Sequence, residues 1–129
     1  MTKEQVAAWI AAYERAWRAP GTGALGGLFT ADATYRQGPY DEPAAGLPAI
    51  ARMWEAERDG PDEVFAMTSE VVAVDGATAV ARLEVRYGEP ARQQWRDLWV
   101  MRFAGDGRCA WFEEWPIAPP RRPAANAGG

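Results

Sequence analysis

Residues 96–115 read RDLWVMRFAGDGRCAWFEEW. The central AGDGR has the composition of a tight turn, and runs rich in aromatic and β-branched residues lie on both sides of it. That pattern predicts an antiparallel hairpin with strands over 94–103 and 108–115. The hairpin is rich in tryptophan yet also carries Asp97, Glu113 and Glu114. A carboxylate on a strand face turned toward a core is costly unless it has a partner or a task. The question is therefore which face each acid takes.

The preceding segments extend the same period. Residues 77–87, ATAVARLEVRY, alternate with Ala79, Ala81, Leu83, Val85 and Tyr87 on one face and Val80, Arg82, Glu84 and Arg86 on the other. Residues 64–74 form a further strand. If Leu83 and Val85 face a core, the hairpin turns Trp95, Asp97, Trp99, Met101 and Phe103 inward, and Arg96, Leu98, Val100 and Arg102 outward.

Upstream the period is helical. Thr2-Lys3-Glu4-Gln5 has the form of a capping box, and Val6, Trp9, Ile10, Tyr13 and Trp17 recur at helical spacing until Pro20-Gly21. A short second helix is expected next, with Thr22 as its cap and Leu25, Leu28 and Phe29 facing inward. Residues 33–37, ATYRQ, read as a short strand, followed by the turn-rich GPYDEPAAG. Pro48 suits the first turn of a third helix that buries Leu47, Ile50, Met53 and Trp54 and stops at Asp59-Gly60-Pro61. Helices first and a strand meander afterward predict an α+β fold, with a curved sheet around the helices. A single domain over 1–117 is expected, with a Pro/Ala/Gly-rich tail over 118–129.

Composition narrows the chemistry. The chain has 129 residues, 48% of them hydrophobic, enough to bury one sizeable core. It contains no histidine and one cysteine, Cys109. The commonest general base and metal ligand are therefore missing, as is any Cys/His pair, so neither a zinc site nor another cofactor is expected. Proton chemistry would fall to carboxylates, tyrosines and arginines. The net charge of −4 argues against a nucleic-acid partner. No apolar run is long enough to span a bilayer, and MTKEQVAAW carries charges where a signal peptide is apolar, so the chain is expected in the cytoplasm without a membrane partner. Cys109 reads as packing on an outer face near Trp111.

The order of helix, short helix, FTADATY, a Gly/Pro-rich loop, a helix with a late tryptophan, and strands with a DGR turn resembles the nuclear transport factor 2-like superfamily. That superfamily includes the SnoaL-like and ketosteroid isomerase-like proteins. The resemblance covers roughly the first nine-tenths of the chain. It implies a cone-shaped α+β barrel, with three N-terminal helices packed into a curved mixed or antiparallel sheet. It also implies one deep apolar pocket and a homodimer through the sheet's outer face. Enzymes and non-enzymes share the fold, so it does not by itself give an activity.

Compared with the steroid isomerases, Tyr13 falls where that family keeps a tyrosine donor. The family's aspartate base falls on Gln37, and its second acid on Trp99, with Asp97 one step away on the same face. Two of three functional positions have departed, which speaks against steroid isomerisation. Limonene epoxide hydrolases place a pocket aspartate at Glu114, but their accompanying arginine and aspartate fall on a strand here holding Ala81, Leu83 and Val85. Scytalone dehydratase-like enzymes rely on histidines that this chain lacks.

On the last strand the resemblance points Phe112, Glu114 and Pro116 inward and Trp111, Glu113 and Trp115 outward. A bulge near the strand end would exchange Glu113 for Glu114. The candidate catalytic groups are Asp97 and Glu114 as an acid/base pair, with Tyr13 as hydrogen-bond donor. Trp17, Phe29, Tyr35, Gln37, Trp54, Leu83, Trp99, Met101 and Phe112 are the candidate ligand contacts. Structural readings stand beside these: Asp97 tied to indoles or arginines, Tyr13 as core stripe, Gln37 as a loop anchor. The expected ligand is small and apolar or aromatic, and the expected partner is a second copy held through Leu98, Val100, Trp111 and Trp115. The functions in view are cofactor-free isomerisation, dehydration, cyclisation or epoxide hydrolysis. A non-catalytic binding or interaction module is the alternative.

Overall fold

The computed structural model describes residues 1–58, 64–88, 90 and 93–120. At its start, the Thr2 hydroxyl accepts the Gln5 backbone N–H while the Gln5 side chain accepts that of Thr2. This reciprocal cap opens α1, Lys3–Arg18. Val6, Trp9, Ile10, Tyr13 and Ala16 form its buried stripe, as the 3.6-residue period requires. Ala19, just before Pro20, turns to extended backbone and ends the helix.

The next turn of helix, α2 at Leu25–Leu28, is capped at Ala24 without a side-chain bond, so Thr22 does not serve as expected. Phe29 begins a strand instead of ending this helix. That strand, β1 at Phe29–Arg36, is longer than the sequence suggests because its pairing is irregular between Phe29 and Thr34, which breaks the alternation that would reveal it. A two-residue strand, β2 at Ala44–Ala45, pairs antiparallel with it inside the turn-rich connection. Tyr40 in that connection is 99% exposed.

Gly46, at φ 86°, then admits α3, Leu47–Glu57, with Pro48 in the first turn. Ile50 and Trp54 are buried, whereas Leu47 and Met53 are only partly covered. The expected stop at Asp59-Gly60-Pro61 lies outside the described residues.

Four long strands follow: β3 Phe65–Asp75, β4 Thr78–Tyr87, β5 Gln93–Phe103 and β6 Cys109–Ile117. The six strands make one sheet in the order β2-β1-β6-β5-β4-β3. Every pairing is antiparallel except β1 with β6, so the sheet is mixed. The inward sets on β4 and β5 match the period-2 reading, with Ala79 to Val85 and Asp97 to Phe103 buried at alternate positions.

A bulge does occur in the last hairpin, but near the turn. Arg102 pairs with Trp111 and Phe103 with Cys109, which leaves Ala110 as the extra residue. It rotates Cys109 off the outer face expected of it and into the core, where it is 0% exposed. The thiol bonds the Trp111 carbonyl at 3.2 Å, and burial pushes its pKa up to about 12. Beyond the bulge the alternation resumes, so Glu114 keeps the inner face. Outside, Leu98 pairs with Trp115 and Val100 with Glu113, and the Arg102 guanidinium stands 4.8 Å over the Trp111 ring.

Phe112 is the centre of the packing. Its ring meets Trp9, Tyr13, Phe29, Tyr35 and Trp99 at centroid distances of 4.4–6.0 Å. Phe112→Ala is expected to cost about 3–5 kcal/mol in urea unfolding. Thr2→Ala, which removes only the cap, should cost about 1 kcal/mol. Equal effects would show that the hub role assigned to Phe112 is wrong.

Candidate functional site

At one end of the sheet the packing stops and a cavity of about 420 Å³ opens. Its wall takes Tyr13 and Trp17 from α1, Tyr35 from β1 with Gln37 just beyond it, and Met53, Trp54 and Glu57 from α3. The sheet supplies Phe65 and Met67 from β3, Val85 and Tyr87 from β4, Gln93, Trp95, Asp97 and Trp99 from β5, and Glu114 and Pro116 from β6.

Eight of the sequence-derived candidates therefore meet here: Tyr13, Trp17, Tyr35, Gln37, Trp54, Asp97, Trp99 and Glu114. Phe29, Leu83, Met101 and Phe112 do not line the cavity and lie in the packed core instead. Period 2 gives the face of a strand residue but not its height along the strand. At the closed end, Trp9 fills the space against Phe29, Phe103 and Phe112. The cavity therefore begins only at Val85 on β4, at Trp99 on β5 and at Glu114 on β6.

Among the residues not singled out, Val85, Tyr87, Trp95 and Pro116 were already on inward faces. Glu57 is the instructive omission. It stands three residues after Trp54 and four after Met53, the spacing that shares one helix face, and that signal could have found it.

The register settles which acid of the last strand faces in. Glu114 pairs with Trp99 and lines the cavity, whereas Glu113 reaches Arg36 at 3.8 Å. Asp97 pairs with Pro116, so Asp97 and Glu114 are diagonal neighbours on one face, a spacing sheet geometry sets at about 7–8 Å. Burial is the main cause that raises both. The Asp97 carboxyl is pushed up to about 6, with the Trp99 indole pulling the other way. The Glu114 carboxyl is pushed up to about 8 by burial, then by the charges of Asp97 and Glu57, and is opposed by a hydrogen bond from Tyr35.

Beside Glu114 the Tyr13 and Tyr35 hydroxyls share a 2.6 Å hydrogen bond. Burial, and after it the charge of Glu114, raises both phenols well above their ordinary range, so both keep their protons. Among the described residues, Trp54 Nε1, Trp99 Nε1 and Asp97 Oδ1 are buried without a bond of full hydrogen-bond geometry, although the Trp99 indole stands near enough to Asp97 to lower its pKa. Near neutral pH the wall thus holds an ionised Asp97 and a protonated Glu114, a base and an acid side by side.

Because the folded protein holds protons that the unfolded chain would release, these acids make stability fall as pH rises. For Glu114 the window runs from about 4.5, the ordinary value, to about 8. Glu114→Gln is expected to leave stability unchanged at pH 4. At pH 8.5 it should raise stability by at least about 1.4 kcal/mol, the equivalent of a tenfold change in proton affinity. Thermal unfolding across that range tests this, and an offset independent of pH would rule it out.

The SnoaL-like domain model matches residues 8–112. No curated protein matches the chain. A solved NTF-2 like protein of unknown function from Burkholderia xenovorans LB400 superposes with a TM-score of 0.69 at 14% identity, covering 97% of this chain and 92% of that one. A protein of Sinorhizobium meliloti provisionally named a polyketide cyclase gives 0.66 at 23% identity, covering 88% of this chain and 99% of that one. An Agrobacterium tumefaciens protein provisionally named an isomerase of the SnoaL-like family gives 0.71 at 17%, with 89% and 99% covered. At these identities the structures share a fold and nothing finer. With the α+β architecture, the mixed six-stranded sheet and the family match in agreement, the chain belongs to the SnoaL-like domain family.

Proposed function

We propose that the cavity binds a small aromatic or apolar molecule carrying a carbonyl oxygen and moves a proton on it without a cofactor. The observation that carries this reading is the Asp97–Glu114 pair, two acids of separated proton affinity on one wall of one cavity. Asp97 removes a proton from the carbon next to the carbonyl. The electrons of that C–H bond form the enol double bond while the carbonyl oxygen takes the proton of Glu114. Where the ligand also carries a β,γ carbon–carbon double bond, the product is a dienol. Asp97 returns its proton to the γ carbon, and the double bond moves into conjugation. The enol O–H proton goes back to Glu114 as the carbonyl re-forms, so isomerisation is balanced. The same enol closes a ring if it attacks a second carbonyl carbon: its O–H proton returns to Glu114 as the first carbonyl re-forms, and the new alkoxide oxygen takes the proton held by Asp97.

Tyr35, hydrogen-bonded to Tyr13, stands close enough to Glu114 to pull its pKa down, and the unpartnered Trp54 indole offers a donor to a ligand oxygen. The relatives named as an isomerase and as a polyketide cyclase fit chemistry that starts from an enol. Epoxide hydrolysis finds less support, because Ala81, Leu83 and Val85 form apolar, buried surface where a polar pair would be needed.

The probe reaction is deuterium exchange of 2-tetralone in D₂O, followed by NMR. The protein is expected to accelerate exchange, and Asp97→Asn and Glu114→Gln each to slow it by about 10²–10⁴-fold while circular dichroism stays unchanged. The rate should peak between about pH 6 and 8. Exchange no faster than in buffer removes the catalytic half of the proposal.

We further propose that the outer sheet face pairs two copies of the chain. Trp115 and Ile117 are 40% and 58% exposed there beside the half-buried Leu98, Val100 and Trp111. Sedimentation is expected to show a dimer that Leu98→Asp converts to monomer. A wild-type monomer at micromolar concentration overturns it.

A further inference from the structure

The cavity wall carries charge of one sign only. Asp97 from β5, Glu114 from β6 and Glu57 from the end of α3 all line it, and among the described residues no lysine or arginine does. The chain has 14 basic residues, so their exclusion from this wall is not scarcity. Two arginines touch lining rings without lining the cavity themselves. Arg18 lies 3.8 Å over Phe65 and donates to Glu14 and the Phe65 carbonyl. Arg58 stands 5.8 Å from the Trp17 and Trp54 rings and donates to the carbonyls of Ala19 and Gly21.

Much of the remaining wall is aromatic, with Trp17, Trp54, Trp95 and Trp99 foremost. Aromatic faces interspersed with carboxylates attract a cation twice over, through the ring quadrupole and through charge. Asp97 supplies an independent sign of a missing ligand group. It is nine-tenths buried, it lines the cavity, and its Oδ1 has no bond of full hydrogen-bond geometry. The described acids form no cluster tight enough to hold a metal ion, so the complement is a diffuse organic cation.

We propose that the ligand of this cavity carries a positive charge, an ammonium or quaternary ammonium group on an aromatic or compact apolar body. This rests on the small-molecule reading above and narrows its substrate class. A neutral ligand leaves the repulsion that raises Glu114 in place, and an anion adds to it. A cation reverses the sign of the field at Glu114 and lowers its proton affinity, so binding and proton release are coupled. The titratable groups facing that site are Tyr13 on α1, Tyr35 on β1, Glu57 on α3, Tyr87 on β4, Asp97 on β5 and Glu114 itself; β3 contributes only Phe65 and Met67.

The test compares benzyltrimethylammonium with its uncharged isostere neopentylbenzene, read by tryptophan fluorescence. At pH 8 the cation is expected to bind at least about tenfold more tightly than the isostere. The preference should shrink at pH 5, and Glu57→Gln, at an exposed position that does not threaten folding, should weaken cation binding alone. Equal affinities for the two probes would overturn the charge inference while leaving the small-molecule cavity intact. Binding of neither would overturn both, and the tetralone exchange would then fail independently.

Discussion

The ring of Phe112 sets the distance between helix and sheet, and the cavity exists because of where that ring sits. It takes Trp9 and Tyr13 from α1, Phe29 and Tyr35 from β1, and Trp99 from β5 into one contact group. Close packing of bulky rings leaves little slack, so α1 is held off the sheet by fixed ring thicknesses. On the Trp9 side of Phe112 the space is filled. On the other side Tyr13 and Trp17 continue the helix stripe, but the next inward residues of the sheet are Glu114 and Asp97. Carboxyls do not fill space as rings do, and the cavity opens at that change of residue type.

The parallel pairing of β1 with β6 makes this arrangement chemical as well as steric. It places Tyr35 beside Phe112, with their rings stacked 4.4 Å apart. The Tyr35 hydroxyl is thereby brought to Glu114 on one hand and to Tyr13 on the other. Desolvation and the neighbouring charges of Asp97 and Glu57 hold the Glu114 carboxyl above its ordinary range against the pull of Tyr35, as burial holds Asp97 above its own against the pull of the Trp99 indole.

Much of this was legible in residue order. The capping box, the helical stripe from Val6 to Trp17, the alternation in 77–87 and the GDG turn each reflect a local rule that the fold obeys. The inward face of Asp97 followed from counting by two. What stayed hidden depends on pairings that no short stretch encodes. The irregular start of β1 concealed a strand that runs from Phe29, and the bulge at Ala110 moved Cys109 from surface to core. The height of the cavity along the strands is invisible for the same reason: a period-2 count puts Leu83, Met101 and Phe112 on the wall, and the structure puts them in the packed core. Glu57 was missed because a helix-terminal glutamate reads as a solvated end until the tertiary structure brings the sheet opposite it.

The departures from steroid isomerases acquire a physical sense in this frame. Gln37 and Trp99, the positions where the resemblance expects acids, both line the cavity. Replacing an acid by an indole at Trp99 removes one charge from the wall, while Asp97 restores one a step along the same strand. The acids of this wall are Asp97, Glu114 and Glu57. Glu114 stands higher, at about 8, because the charges of Asp97 and Glu57 add to its burial, whereas at Asp97 burial is opposed by the Trp99 indole and the carboxyl stops at about 6. The gap between two like groups therefore comes from the charges and donors around each one.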